Sequence, residues 1–411
     1  MKHSAMEQSS LYDVAVVGGG PAGLTLGVTL ARFMPELKVL VIDKKGFEVP
    51  NDARSLALAA GVTRIFEALG IWEKMSRHAS PISHMRVTDS GSDDISRPLF
   101  LSFDGEVFPG RPFAHMVPIR DIAGVLLEAA KEEVEFKAGV QVRAMHLNGP
   151  LAELLLDNNS SVRTKLVVAA DGSRSAVRDM AGIRTTGHDY RQNGLVTTIF
   201  HEIDHKNTAF EHFRPAGPFA SLPLPGSRSS LVWTEGRQEA ERLLTLTRQE
   251  QANIIEASMG HTLGKVELEE PVQSFPLRLC LAREFVAPRL ALLGDAAHAI
   301  HPITGQGLNL GLKDVAALSE VIVEAVRLGQ DHGDVNVLRG YERWRRLDVA
   351  LMAMVTDSLN RLFSNEVLAL RIARDFGLGL VDRMPDVKKF LIRHAAGQSP
   401  GSPKLLMGRV L

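Results

Sequence analysis

The 411-residue chain carries 47 lysines and arginines against 48 aspartates and glutamates, so it lacks the positive field that holds a polyphosphate backbone, and nucleic acid is set aside as a partner. Hydrophobic residues make up 45% and charged residues 23%, ordinary globular proportions that exclude collagen-like or long disordered tracts and leave room for about two domains. One cysteine, Cys280, forms no internal disulfide, and no cysteine–histidine spacing suggests zinc, so a reducing compartment fits.

The opening MKHSAMEQSS has neither an apolar core nor a small-residue cleavage site, and the apolar run LYDVAVV is far shorter than a membrane span. The expected location is cytoplasmic, with any membrane contact peripheral to the inner membrane. The chain then reads as a strand (Tyr12 to Val17), a glycine turn, a helix (Pro21 to about Met34) and a second strand (Lys38 to Ile42), which is a βαβ unit. Its turn, Gly18-Gly19-Gly20-Pro21-Ala22-Gly23, fits G-x-G-x-x-G. Gly18 permits the tight turn, Gly20 lets backbone approach a pyrophosphate, and Gly23 lets the helix pack closely on the strand. The free N–H groups of the helix N-terminus face the phosphates. Asp43, 20 residues beyond Gly23 at the end of KVLVI, can accept hydrogen bonds from a ribose diol. In this context the turn binds a dinucleotide.

SGSDD (90 to 94) and DNNSS (157 to 161) read as loops or hairpin tips. Lys165 to Ala170 is a β-type run leading into Asp171-Gly172-Ser173-Arg174-Ser175-Ala176-Val177-Arg178. From about 185 to 279 short β-type runs are broken by proline and glycine, with one helical stretch from Glu239 to Met259, which predicts a sheet-rich second domain. Strand Leu290 to Leu293 leads into Gly294-Asp295-Ala296-Ala297-His298, then Pro302, Gly305-Gln306-Gly307-Leu308-Asn309 and a helix to about Arg327. These segments sharpen the dinucleotide to FAD. Asp295 at a strand end can bind a ribityl hydroxyl, the helix beginning near Gly307 points its positive end at the electron-rich edge of a reduced flavin, and Gly305 and Gly307 let backbone approach a flat ring. After Tyr341 the pattern is helical, with Leu347, Leu351, Met354, Val355, Leu359 and Leu362 on one face and Val349 and Met352 off it.

At these motifs the chain resembles the FAD-dependent aromatic-ring monooxygenases of the p-hydroxybenzoate hydroxylase class, and within them the ubiquinone-biosynthesis hydroxylases of the 2-octaprenylphenol hydroxylase type. GGGPAG, DGSRSAVR and GDAAHAIHPITGQGLNLGLKD carry the resemblance, with FRPAGPFASLPLPGSRSSLVWT and the tail RMPDVKKFLIRHAAG extending it over nearly the whole chain. Thr304, at the expected flavin edge, stands where that branch usually has alanine.

The resemblance implies an α/β fold. Its Rossmann-type FAD-binding domain is assembled from residues 10–80, 104–184 and 280–345, a β-rich substrate domain comes from 81–103 and 185–279, and residues 346–411 form a C-terminal helical region. It implies a flavin C4a-hydroperoxide that passes one oxygen atom of O2 to a prenylated phenol, with NAD(P)H or a ferredoxin-type reductant as electron donor. Gly18, Gly20, Gly23 and Asp43 would hold the ADP half of FAD. Arg54 and Arg120 match FAD-contacting positions, though either can be a plain surface ion-pair arginine. Asp171 would serve both the flavin domain and the approach of the reductant, its alternative being a turn or helix cap. Asp295 would bind the ribityl chain, and Pro302, Gly305, Gly307, Leu308 and Asn309 would line the isoalloxazine. Pro302 is the only flavin-proximal residue named for the catalytic step, since no acid or base stands out. His298 and His301 lack a third metal ligand, and His298 reads as a polar-network residue. Phe213, Phe219, Leu222, Leu224 and Phe275 are either plain core or the floor of an apolar cavity. Two other readings stay open: hydroxylation of a small soluble aromatic compound, and a non-catalytic FAD-bound member of a biosynthetic complex. The absence of a W-x-W-x-I-P segment argues against halogenation.

Overall fold

The computed structural model describes residues 11–89, 99–104, 110–363 and 401–411, without the side chains of residues 89, 99–101, 103, 104, 304 and 363. The SGSDD loop and the RMPDVKKFLIRHAAG tail lie outside the described residues.

Strand β1 (Leu11–Val17), helix α1 (Pro21–Phe33) and strand β2 (Val39–Asp43) form the expected βαβ unit. β1 is central in a largely parallel sheet. Ser161–Ala169 pairs with it on one side and β2 on the other, with Leu290–Leu292 outside the first and Glu135–Ala138 outside the second. Strands covered on both faces read as continuous apolar runs, and Val14, Ala15, Val16, Leu40, Val41 and Ile42 are fully buried. The DNNSS segment is the tip of the hairpin between Ala152–Leu156 and Ser161–Ala169.

A second sheet follows the order His298–Ala299, Gln273–Ala282, Thr185–His201, Arg228–Gly236, Gly217–Leu224, Thr208–Arg214, His84–Asp89 and Leu99–Asp104. This sheet continues past residue 279, because Thr185 to Gly187 pair with Cys280 to Ala282 and Cys280 pairs with Ala299. The expected single helix from Glu239 to Met259 is two helices, Arg237–Thr245 and Arg248–Ser258. Thr247 causes the break: its hydroxyl accepts from the Glu250 amide while Glu250 accepts from the Thr247 amide, a capping box that starts a new helix.

A small third sheet joins β3 (Ser55–Ala59) to Ala114–Pro118 and then to Ser80–Ile82. The Gly307–Arg327 helix packs on α1 and on the last long helix, Val335–Phe363. That last helix turns much of its apolar stripe outward. Leu347 is 68% exposed and Met354 66%, with Leu351 and Val355 also outward, whereas Val349, Ala353, Thr356 and Asn360 are buried. Polar partners on other elements anchor its inner face: Arg345 donates to Asp314 and Asn360 donates to Gln192. Among the described residues no helix is long and apolar enough to cross a membrane.

Candidate functional site

Three turns converge at the C-terminal ends of β1, Ser161–Ala169 and Leu290–Leu292, where ligands of open α/β sheets bind. In the first, Gly18 has φ +122° and a Cβ there would overlap the Ala170 carbonyl, while a Cβ on Gly23 would overlap the Gly18 carbonyl. These two glycines are required by the fold itself. Gly20 is different: nothing stands within 4 Å of its would-be Cβ, so its backbone faces open space at the α1 N-terminus. Asp43 Oδ2 accepts from the Gly19 amide at 2.6 Å and Oδ1 from the Lys45 amide at 2.7 Å, which holds the β2 end against the glycine turn.

In the second turn, Asp171 Oδ2 accepts from the Val177 amide at 3.2 Å, while its Oδ1 is buried without a hydrogen-bond partner. The Val177 bond matches the reading of this residue as a helix-start cap.

In the third, Asp295 sits in the Gly294–Ala296 turn beyond the strand end, and no hydrogen bond among the described residues engages its carboxylate. Its surroundings raise its pKa because burial outweighs the attraction of His298, Arg54 and Arg278. Its own surface is nevertheless accessible, as expected for a carboxylate deep in an open recess. Behind it lies a buried charge cluster that the sequence did not announce. Asp314 accepts from the Gly294 amide at 3.0 Å, from His298 Nε2 at 2.6 Å and from Arg345 Nε at 2.7 Å. Burial opposes ionisation of Asp314, but His298 and Arg345 outweigh it and hold its pKa below the usual carboxylate value. Arg345 also reaches Asp348 at 2.6 Å. His298 is thus the polar-network residue expected, fixing the turn that presents Asp295.

The Pro302–Thr304 turn follows, with His301 Nδ1 accepting from the Ile303 amide and Gly305 at φ +60°. Burial lowers the His301 pKa to about 4 against the pull of Asp357, so its ring is neutral at ordinary pH. Gly307 opens the next helix with nothing within 4 Å of its would-be Cβ, and Leu308 is half-buried against the main core. Asn309 follows on the same helix. Its side chain is buried and spent on backbone, accepting from the Ala59 amide at 2.9 Å and donating to the Ala57 carbonyl at 2.7 Å, so it pins β3 to the turn.

Arg54 and Arg120 are neighbours, because β3 pairs with Ala114–Pro118 and the Ile119 amide donates to the Arg54 carbonyl. Arg54 is held by Asp52 at 2.6 Å and lies over the Phe275 ring, while Arg120 reaches Glu270 at 3.2 Å. Of the other proposed cavity residues, Phe213 packs with Val87 and Ile303, and Leu222 and Leu224 pack with Met116 and Ala209. Phe219 faces the opposite side of the sheet with Leu231 and Trp233 and is plain core.

This arrangement is the candidate site for an extended dinucleotide. It has a glycine turn that tolerates no Cβ where it packs and is open where it faces outward, an unpaired oxygen on Asp171, and a free carboxylate on Asp295 beside two arginines. Residues 11–356 match the FAD binding domain family. The chain belongs to this family. It is an FAD-dependent monooxygenase. The ubiquinone hydroxylase UbiL of Rhodospirillum rubrum is 40% identical over 405 residues, covering 96% of this chain and 92% of that one. The 3-demethoxyubiquinol 3-hydroxylase of Escherichia coli is 30% identical over 391 residues, covering 94% and 98%. Among solved structures, p-nitrophenol 4-monooxygenase PnpA from Pseudomonas putida superposes with a TM-score of 0.78 at 18% identity over 95% of this chain and 100% of that one, a likeness of fold.

Proposed function

We propose that this flavoprotein hydroxylates the aromatic ring of a prenylated phenol in ubiquinone biosynthesis, using O2 and electrons from NAD(P)H or a ferredoxin-type reductant. Bound FAD, once reduced, supplies the oxygen activation. The protein's residues bind, orient and keep water out. Gly18, Gly20, Gly23 and Asp43 would hold the ADP half, Arg54 and Arg120 the middle, Asp171 and Asp295 the ribityl region, and the Pro302–Gly307 segment the ring.

One observation carries the substrate reading: this segment faces an apolar wall. Ile303 packs on Phe213 and Val87, and Gly305 lies nearest Ala57, which belongs to the cluster of Ile82, Met116, Ala209 and Leu224. Such a lining suits an alkylated ring. The Val335–Phe363 helix, which contacts the Pro302–Thr304 turn, would flank this region. Peripheral membrane contact follows from the same reading, because a prenyl chain resides in lipid. Exposed Arg339, Arg343 and Arg346 precede the exposed stripe of Leu347, Leu351, Met354 and Val355 on one helix, a pattern suited to an anionic lipid surface.

Quinone-intermediate profiling in a strain lacking this protein tests the reading. A prenylated ring lacking one hydroxyl should accumulate. An unchanged quinone pool together with loss of a small aromatic catabolic product would replace it with hydroxylation of a soluble compound.

A further inference from the structure

The second sheet turns one face toward the Pro302–Gly305 segment, and on that face the Thr208–Arg214 strand places Ala209, Glu211 and Phe213, since alternate residues share a side. Ala209 belongs to the apolar cluster that holds Ala57, and Phe213 to the cluster that holds Ile303. Met85 packs against both clusters. Glu211 therefore stands between the two contacts that flank the turn. Its cross-strand neighbours are Ala220 and Val87, both apolar. Glu211 keeps partial accessibility, as do Ala57, Met85, Ala220 and Leu222, while Ala209 and Phe213 are buried. The carboxyl thus looks into an opening ringed by apolar side chains.

We propose that Glu211 recognises the phenolic hydroxyl of the substrate and so selects a free phenol over its ether. This rests on the reading of the chain as a phenol hydroxylase. Two other acids at this sheet are paired: Glu235 accepts from Arg214 and from Trp233 Nε1, each at 2.7 Å, and Glu269, just past a strand end, is held by Arg228 at 2.8 Å. Among the described residues no such bond or charge acts on Glu211; burial raises its pKa, to about 8. Near neutral pH it is a neutral acid. Its O–H can donate to the phenol oxygen while its carbonyl oxygen accepts the phenol O–H, a pairing that an O-methyl ether cannot complete. A site built around a hydroxyl rejects the analogue lacking it, because the site's own polar group is left unpaired.

The test titrates the FAD-loaded enzyme with 2-prenylphenol and with its O-methyl ether, followed by the flavin absorbance change. Wild type should prefer the phenol by about tenfold or more. E211L should bind both alike, retain FAD and melt no lower than wild type, since it removes an unpaired buried carboxyl. If E211L keeps the preference, or wild type has none, the assignment of Glu211 is overturned and the phenol hydroxylase reading stands. If E211L loses FAD or melts lower, and E211Q does so too, Glu211 serves the fold and the assignment is likewise overturned. If wild type binds neither compound, the prenylphenol reading itself fails and takes this one with it.

Discussion

Asp314 and Arg345, 31 positions apart, meet in a 2.7 Å bond from Nε to Oδ1 with both side chains buried. The bond ties the Gly307–Arg327 helix to the Val335–Phe363 helix. The other oxygen of the same carboxylate receives His298 and the Gly294 amide, so one acid holds two helices and the turn carrying Asp295. Asp314 is a positioning residue for that turn.

Removing it should be costly. D314A leaves Arg345 and His298 buried beside a vacated carboxylate, and breaking a buried pair from one side costs about 3–5 kcal/mol. Chemical denaturation should show a loss of that order, accompanied by weaker FAD retention. The pH dependence follows from the sign of the shift. The folded pKa of Asp314 lies below 3.8, so its contribution is complete above that value and is lost as pH falls through the folded pKa. Wild type should lose stability on acidification below about pH 4 faster than D314A. Parallel acid melts of the two proteins would count against this account.

The glycine turn separates fold from ligand. In G23A the added methyl group meets the Gly18 carbonyl, so backbone must shift and the melting temperature should fall. In G20V the new Cβ meets no atom within 4 Å, so the apoprotein should melt close to wild type, with a small loss from valine at the N-cap position. FAD should nevertheless be excluded, because that space is assigned to the pyrophosphate. Differential scanning calorimetry with and without FAD distinguishes the two. Yellow, FAD-saturated G20V protein would remove the ADP half from this turn.

Asp295 offers a complementary test. Its carboxylate makes no bond within the described protein, so D295A costs the fold little and the ligand more. A charge-assisted hydrogen bond is worth about 1.5–3 kcal/mol, or roughly ten- to a hundredfold in FAD affinity. Fluorescence titration of apoprotein should show that loss with an unchanged melting temperature. D43A should also loosen FAD, but with a stability penalty, since Asp43 anchors the Gly19 and Lys45 amides.

The glycine turn and the Asp295 strand end were legible because their chemistry is local: strand, turn and helix follow one another within about twenty residues. Asp314, Arg345 and Glu211 were not. The partners of Asp314 come from separate helices and a turn. The place of Glu211 depends on register, because the same alternation that puts Leu222 beside the turn sends Phe219 into the far core, and sequence alone does not say which face is which. The facing of the last helix was hidden for a related reason. Its apolar stripe does not say which way it points, whereas Arg345 and Asn360 have buried partners on other elements, so that Leu347 and Met354 point outward.

The Pro302–Gly307 turn carries the final prediction. Pro302 fixes the first position of a short turn whose start is capped by His301 and whose end is Gly305 at φ +60°, a conformation other residues adopt only with strain. Ile303 of this turn is packed on Phe213, opposite Glu211. In P302A the cap and the glycine remain, but φ of the first residue is released, so the segment loosens where ring and substrate would meet. Water then gains access, and the expected result is uncoupling: O2 and reductant are consumed at near wild-type rates while hydrogen peroxide rises and hydroxylated product falls. G307V acts differently. A Cβ at Gly307 meets no protein atom within 4 Å; the valine is expected to intrude where the ring is assigned and should lower FAD affinity and shift the flavin potential together. Product formed per O2 consumed, with peroxide measured by catalase-dependent oxygen return, reads the first variant, and dye-equilibrated reduction reads the second. Wild-type coupling in P302A together with wild-type potential in G307V would place the isoalloxazine elsewhere and withdraw the active site from this turn.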